Sequence, residues 1–525
     1  MMRVFILSAC AVAMGMLTAM PVAAQDSEFQ ELRARMERVE RQNQVLLQQL
    51  QQQQRTTTDL PVPDGEGEDG ELGSSRRIFQ AALEGTAAAK PTAEPDWYEV
   101  GSDKTMHAKW NNGLELETKN KDFRIHLGGR TQLDYSWFRV DESVQSDPTL
   151  GNRFRDGVDF RRARLRADGT MYEVIDFEVE YDFMQGARVS TPGSGTFNEA
   201  LTGPTDLNFT ITKLPTIGNL RFGNHKEPIG FEHLTSSRYQ NFMERTYMQD
   251  AFYGGFNNGF SLGASVFNTM FDDRARWHVG AYSPNSTVFA FNTGGAEVAI
   301  TGRLTGLLMY EDEGRNLVHV GVSGRHATMD DGLTRYRVRP AIRSGLVAVW
   351  PLPADTGSFN GDTQQWVNFE LVSVLGPWTF QAEYLGAYIQ DAFRTGSASV
   401  GTVNYQGYYV EALYFLTGEH RAYNRKNAAF DRVVPNENFF LVPGDCGSIF
   451  GRGAWQIGVK YDHLDLDDKG IDGGRLDDFT VGLNWFLNPN MKVQWNYNVT
   501  KRDSSVSGAG DGLIQGFGMR VAHDF

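Results

Sequence analysis

The stretch Phe479-Thr480-Val481-Gly482-Leu483-Asn484-Trp485-Phe486-Leu487, the break Asn488-Pro489-Asn490 and the return Met491-Lys492-Val493-Gln494-Trp495-Asn496-Tyr497-Asn498-Val499-Thr500 change character at every residue. Phe479, Val481, Leu483, Trp485 and Leu487 share one face, against Thr480, Gly482, Asn484 and Phe486. On the return, Met491, Val493, Trp495, Tyr497 and Val499 oppose Lys492, Gln494, Asn496, Asn498 and Thr500. A period of two is the signature of a β-strand. The C-terminal run repeats it, with Phe517, Met519, Val521 and Phe525 against Gly516, Gly518, Arg520, Ala522 and Asp524. A soluble sandwich would bury the apolar face as a core. Strands this long with aromatic ends also fit a transmembrane barrel, which needs about 9–11 residues per strand and is apolar outside and polar within. Only helices and closed barrels satisfy the backbone in lipid. Beyond the extreme N-terminus no apolar window of ~20 residues is available for a helix.

Working outward from that hairpin, loop lengths alternate. An outer-membrane barrel joins its strands by short periplasmic turns and longer external loops. With the chain ending on the periplasmic side, Asn488-Pro489-Asn490, Gly376-Pro377 and Glu311 to Gly314 fall inside. Residues 226–258, 328–365, 391–404 and 501–512 fall outside. The fold expected is all-β, a 16-stranded antiparallel transmembrane barrel over residues 105–525, with its strands between Phe123 and Phe525. One connection breaks the parity: 418–452 is long for a periplasmic turn and carries Arg421, Arg425, Lys426 and Arg432.

The remainder of the composition agrees. The chain has 525 residues, a formal charge of −15 and 34 Phe, 19 Tyr and 10 Trp, too many aromatics for a disordered chain. Bulk acidity argues against a nucleic-acid partner, which requires a basic face. Arg3, the apolar run Val4 to Met20 and Pro21-Val22-Ala23-Ala24 form a secretory signal peptide over residues 1–24. Leu7-Ser8-Ala9-Cys10 offers a lipoprotein box as the alternative, but it stands too close to Arg3 and the apolar run continues past it. Cleavage after Ala24 leaves Cys446 as the one mature cysteine, which excludes an intrachain disulfide and a cysteine metal site. Phe29, Leu32, Met36, Val39, Asn43, Leu46 and Leu50 trace a heptad stripe with a polar a position. That pattern predicts a short oligomerising α-helical coiled coil over residues 25–54, the plainer alternative being a lone amphipathic helix. Residues 55–104 read as a flexible linker rich in Gln, Thr, Pro, Gly and acids.

The inward-facing charges bear on function. Alternation in Phe160-Arg161-Arg162-Ala163-Arg164-Leu165-Arg166 sends Arg162, Arg164 and Arg166 into the lumen, and Arg130 joins them. Guanidinium forks suit phosphate and carboxylate oxygens. Arg335, Arg337, Arg339 and Arg343 lie on the external segment 328–365, where they could funnel anions to the mouth. Against this stands an inward acidic stripe, Asp176, Glu178, Glu180 and Asp182, of the kind a weakly selective channel would carry.

Gly113-Leu114-Glu115, Leu127-Gly128-Gly129-Arg130, Phe160-Arg161-Arg162-Ala163, Gly230-Phe231-Glu232, Leu234-Thr235-Ser236-Ser237-Arg238, Met243-Glu244-Arg245, Gln381-Ala382-Glu383-Tyr384-Leu385, Leu416-Thr417-Gly418-Glu419 and Gly453-Ala454-Trp455 occur in order over roughly residues 106–525. As a set they resemble the phosphate/pyrophosphate-selective porins, the O/P porin family. The resemblance implies a homotrimer of sixteen-stranded barrels in the Gram-negative outer membrane, with the loop at 226–258 folded inward as a constriction. It implies a central anion site at Arg130, Arg161, Arg162, Ser236, Ser237 and Arg245, an external arginine ladder at Arg337, Arg339 and Arg343, and periplasmic lysines at Lys109 and Lys121. Arg161 and Arg162 are adjacent, so both can face the lumen only if the strand carries a bulge or ends there. His233, His126 and Asn111 stand where the family carries lysines, which weakens anion capture.

The function expected is passive diffusion of small anions, phosphate among them, with outer-membrane lipid around the barrel and no cofactor, metal or nucleic acid. The alternative is a general, weakly selective porin that also tethers the outer membrane to the cell wall or a periplasmic partner through its coiled coil. No nucleophile elbow or metal triad suggests an enzyme, and the 10 His are scattered. The acids Asp465, Asp467, Asp468, Asp472, Asp477 and Asp478, expected in an external hairpin loop, are a candidate for Ca²⁺.

Overall fold

Alternation in sequence becomes a sheet that closes on itself. The computed structural model describes residues 98–525 apart from 149, 151–152, 185–186, 189–198, 201–202, 254–258, 284–296, 330–332, 344–350, 445–446 and 505–509. The expected signal peptide, coiled coil and nearly all of the linker lie outside the described residues.

Two short strands, β1 (Met106–Trp110) and β2 (Leu114–Thr118), form a hairpin whose second strand pairs with the start of β3 (Phe123–Val140). From β3 the chain runs antiparallel through β4 (Gly157–Met171), β5 (Ile175–Asp182), β6 (Gly203–Leu214), β7 (Gly218–Lys226), β8 (Phe260–Met270), β9 (Ala275–Ser283) and β10 (Ala299–Glu311). It continues through β11 (Asn316–Thr328), β12 (Thr363–Leu375), β13 (Trp378–Gln390), β14 (Val403–Phe415), β15 (Ala454–Asp468), β16 (Ile471–Asn488), β17 (Met491–Asp503) and β18 (Gly512–Asp524). β18 pairs back onto β3, from Ile514 opposite Val140 to Asp524 opposite Arg130, and the backbone of Phe525 exchanges hydrogen bonds with Gly129. Sixteen strands, β3 to β18, thus form a closed antiparallel barrel with no free edge, as lipid demands.

The faces sort as the alternation predicts. Phe479, Val481, Tyr497 and Phe517 are 50, 44, 44 and 41% exposed, whereas Thr480, Asn484, Gln494, Asn496 and Thr500 are buried. Apolar side chains outside and polar ones inside invert the soluble arrangement.

On β14 the rule fails for a physical reason. Val403, Tyr405, Tyr409, Leu413 and Phe415 face inward yet are buried and mostly apolar. Val403, Tyr405 and Tyr409 meet two external loops that fold into the lumen, while Phe415 clusters with Val433 of the periplasmic segment. The inner loop (227–259) carries Tyr247, Met248, Phe252 and Tyr253, and the outer loop (329–362) carries Tyr336, Val338, Ala354 and Phe359. With Trp366, Leu385, Ile389, Leu464 and Leu476 of the wall they build a core inside the barrel. Glycines let the inner loop press against the wall: a Cβ at Gly482 would stand 2.9 Å from the ring of Phe242, and one at Gly518 2.9 Å from the Met243 side chain.

Two expectations are corrected. The outer loop does not stay outside the barrel; its apolar residues draw it into the lumen. The acidic run Asp465 to Asp478 is no loop, since β15 and β16 continue to a turn at Lys469-Gly470, with Arg475 paired to Asp465 (3.0 Å) and Asp467 (3.5 Å). Among the described residues no group of three or more His, Cys, Asp or Glu converges as a metal site. Finally, the long periplasmic segment enters the barrel from below. Phe430 packs against Phe231 of the inner loop (ring centroids 4.8 Å apart), and Tyr423 hydrogen-bonds His319 on β11 (2.9 Å).

Candidate anion site

The β3–β4 ladder builds the basic wall. Arg130 lies opposite Arg164 and Gln132 opposite Arg162, after which the register jumps to Leu133 opposite Phe160. Arg161 is the extra residue of a bulge, so Arg161 and Arg162 both turn inward, the bulge being one of the two arrangements that allow it. Arg161 reaches Glu244 of the inner loop through Nε (2.7 Å) and Nη2 (3.0 Å). Arg162 donates to Gln132 Oε1 (2.7 Å) and, among the described residues, has no carboxylate at ion-pair distance.

The inner loop brings the serines to this wall. It turns at Gly230, whose φ of 72° lies in the left-handed region that favours glycine, then makes one helical turn, Phe231–Leu234. Glu383 on β13 accepts from the backbone N–H groups of Phe231 (2.8 Å) and Glu232 (2.7 Å), capping that turn from the opposite wall. Further along, Thr246 caps the helix Tyr247–Phe252 by accepting from the Gln249 N–H, and Asp462 accepts from the Tyr247 N–H (2.6 Å). Clamped at both ends, the loop presents Ser237 Oγ to Arg130 Nη1 at 2.6 Å, with Ser236 Oγ at 3.4 Å. Gln132 joins the groups by donating to the Ser237 carbonyl (3.2 Å).

Of the six residues expected in the central site, Arg130, Arg162, Ser236 and Ser237 therefore form one patch. Arg161 stands on its flank. Arg245 turns back onto its own loop, donating to the carbonyls of Glu232 (3.2 Å) and Thr235 (2.7 Å). His233 does not line the passage. It is 1% exposed, its ring packs on Tyr253, and Gln249 donates to its Nδ1 (3.2 Å). Burial, with Lys226 and Arg245 nearby, holds its pKa well below the usual histidine value, so it is neutral at pH 7.

The ladder arginines also lie elsewhere than expected. Arg343 is buried between Glu244 (3.2 Å) and Asp250 (3.3 Å), and Arg339 pairs with Asp250 through its backbone N–H (2.8 Å) and guanidinium. Arg337 is half-buried on a two-residue strand, and Arg335 pairs with Asp355 nearer the mouth. At the periplasmic end Lys109 is tied to Glu117 (2.6 Å) and Glu115 (2.9 Å), while Lys121 occupies the exposed β2–β3 turn.

Carboxylates answer most of this charge. Glu180, wholly buried, accepts from Arg130 and from Arg164 (2.8 Å), and Asp182 accepts from Arg164 Nε (2.7 Å). Glu244 is shared by Arg161, Arg343 and Arg520, and Asp134 holds Arg520 at 2.6 Å.

Residues absent from the expected site extend it. Below Arg130 a small cavity, partly open to solvent, is lined by Arg130, Arg238, Arg421, Arg432, Lys492 and a carboxylate, Asp524. Arg432 pairs with Asp524, and Arg238 lies 3.5 Å from it. Arg421 and Arg432 come from the periplasmic segment, and its surplus of basic residues was the sequence signal. Lys492 was legible by parity as inward-facing, but its partner, the Gln240 carbonyl at 3.0 Å, is on a loop distant in sequence.

The model of the family described as phosphate-selective porin O and P matches residues 125–522. Porin O of Pseudomonas aeruginosa is 26% identical over 449 residues, covering 79% of this chain and 92% of that protein. An uncharacterized protein of Caulobacter vibrioides is 26% identical over 454 residues, covering 83% of this chain and 80% of its own. Among solved structures, an anion-selective porin from Comamonas acidovorans aligns with a TM-score of 0.44 at 13% identity, over 77% of this chain and all of that one. Salmonella typhi OmpF in complex with daunomycin aligns with a TM-score of 0.46 at 12% identity, over 80% of this chain and all of its own. The family match runs from the first barrel strand to the last, over a barrel whose basic wall meets an in-folded loop; the chain belongs to the phosphate-selective porin O and P family and is a porin of the Gram-negative outer membrane.

Proposed function

We propose that this porin conducts small inorganic oxyanions, phosphate foremost, by passive diffusion past Arg130, Arg162, Ser236 and Ser237, and that it works as a homotrimer. The observation that carries the reading is the convergence of Arg130 with both serine hydroxyls beside Arg162, a cation with no carboxylate at ion-pair distance among the described residues. Two guanidinium forks and two hydroxyls offer the planar and single donors that a tetrahedral oxyanion accepts. The basic cavity beneath supplies the next step toward the periplasm. Arg337, Arg339 and Arg343 lead to the patch from outside, and Lys109 and Lys121 stand at the exit. Because Glu180 already occupies one edge of Arg130, phosphate competes with a fixed carboxylate, and the site holds its solute loosely enough to release it.

The test is the reversal potential in a planar bilayer under a KCl gradient, with added phosphate as blocker. Anion selectivity, block by phosphate, and loss of that block in Arg130→Ala and Arg162→Ala are expected. A cation-selective channel indifferent to phosphate would overturn the reading and leave a general porin.

A further inference from the structure

We propose that the hairpin formed by Phe440–Gly444 and Gly447–Gly451 is a lipid anchor, seating Phe440, Leu441 and Phe450 among the acyl chains of the periplasmic leaflet of the outer membrane. The hairpin belongs to the long periplasmic segment, but whereas residues 421–433 enter the lumen, it stays outside the barrel. Leu441 lies opposite Phe450 in register, so their side chains share a face. Phe440 would point the other way in a regular strand. Its φ of 74°, a left-handed conformation rare for a bulky residue, breaks the alternation, and its ring lies 5.9 Å from that of Phe450. The three side chains are 54, 60 and 64% exposed. An apolar cluster held open through an unusual backbone angle points to something that covers it.

The contacts at its base identify the cover. The Phe439 N–H donates to the Leu487 carbonyl (2.6 Å), and the Phe439 ring meets Trp485 edge-on at 4.6 Å. Trp485 alternates with Phe479, Val481 and Leu483 on the outer face of β16, the face lipid covers. It stacks on Trp455 at 4.9 Å, which in turn lies 6.4 Å from Trp495. The indole N–H groups of Trp455 and Trp485 both donate to the Arg452 carbonyl, at 3.2 and 2.8 Å, fixing the hairpin's exit to this row. Such an aromatic row at the periplasmic end of the strands marks the membrane–water interface. The exposed apolar side chains continue from it, so the surface they extend is already a lipid surface. Interfacial segments that present aromatic and aliphatic side chains insert to the depth of the headgroup and acyl boundary.

The experiment uses the full-length channel with Phe450→Cys and Cys446→Ser, labelled at position 450 with an environment-sensitive dye and reconstituted in phosphatidylethanolamine/phosphatidylglycerol vesicles. Acyl-chain-brominated phosphatidylethanolamine should cut the emission while iodide in the buffer leaves it unchanged, and the emission should shift to the blue relative to detergent-free denatured chain. Quenching by iodide would overturn the proposal, as would protection from both quenchers, the result expected if a neighbouring subunit or a periplasmic protein covers the hairpin. A second channel with Phe440→Asp, Leu441→Asp and Phe450→Asp should keep its conductance but float in depth, with Trp455 and Trp485 losing quenching by the same lipid. Unchanged tryptophan quenching in that channel counts against an anchoring role.

Discussion

At the scale of single residues the basic wall is a set of arginines mostly paired with buried carboxylates, and the partner of each arginine decides what its loss does. Glu244 serves Arg161, Arg520 and Arg343 at once. Glu244→Gln adds one uncompensated positive charge to the passage; one unit charge at 4 Å is worth about 1 kcal/mol even in water, so the anion-to-cation permeability ratio should rise several-fold. The same change breaks buried pairs, a loss of roughly 3–5 kcal/mol by analogy with other proteins, and should lower the thermal unfolding midpoint. Arg162→Gln is the contrasting case. It leaves no carboxylate stranded, so reversal potentials should move toward cation selectivity with little change in the melting midpoint. Parity alone read Arg162, Arg164 and Arg130 as lumenal, and the family resemblance, by placing adjacent Arg161 and Arg162 both inward, implied a bulge or a strand end, of which the structure has the bulge. The pairing was not legible, because Glu244 and Arg520 approach from elements far away in sequence.

Elements govern how the passage is narrowed. The inner loop hangs between β13, where Glu383 takes two backbone N–H groups, and β15, where Asp462 takes a third. Hydrogen bonds to a charged group contribute about 1.5–3 kcal/mol. Glu383→Ala should therefore loosen the loop, raise single-channel conductance and its noise, and leave the barrel folded. The outer loop is latched onto the inner one through Asp250. Burial alone would raise this carboxyl, but Arg339 and Arg343 bring it down to about 2. A carboxyl depressed from its ordinary value of about 3.9 stabilises the latch fully above that value and loses the contribution as pH falls through about 2. The Asp250 latch should hence contribute no change in conductance from neutral pH down to about 4 and act only below it, while Asp250→Asn should show the unlatched conductance at pH 7. A step in conductance between about pH 5 and 7 that Asp250→Asn abolishes would contradict this latch. Strand number, order and parity were all readable from period and turn length. Loop placement was not, since what pulls 329–362 inward is a match between Tyr336, Val338 and Phe359 and an apolar patch on β13 to β15 that only the closed barrel assembles.

The whole molecule combines two kinds of stability with separate sources. The barrel ladder is continuous from β3 to β18, and no hydrogen bond of that ring depends on the loops. The core inside the lumen is built by the loops against β12 to β16, and the loops also reach β3, where Ser136 donates to the Arg343 carbonyl (2.7 Å), and β18 at Gly518. Removing the loop core should thus widen the channel without opening the barrel. Replacing Leu333–Asn360 by a short Gly-Ser turn is expected to raise conductance several-fold and weaken phosphate block, because Arg339 and Arg343 go with it, while the folded band survives on gels run without heating. Collapse of that band would show that the lumenal core holds the wall together. A milder variant separates the two outcomes: Phe359→Ala removes a fully buried ring, a change that costs about 3–5 kcal/mol in other cores. If the ladder carries the fold, Phe359→Ala shifts loop opening and conductance at temperatures well below the unfolding midpoint, and the midpoint itself stays in place.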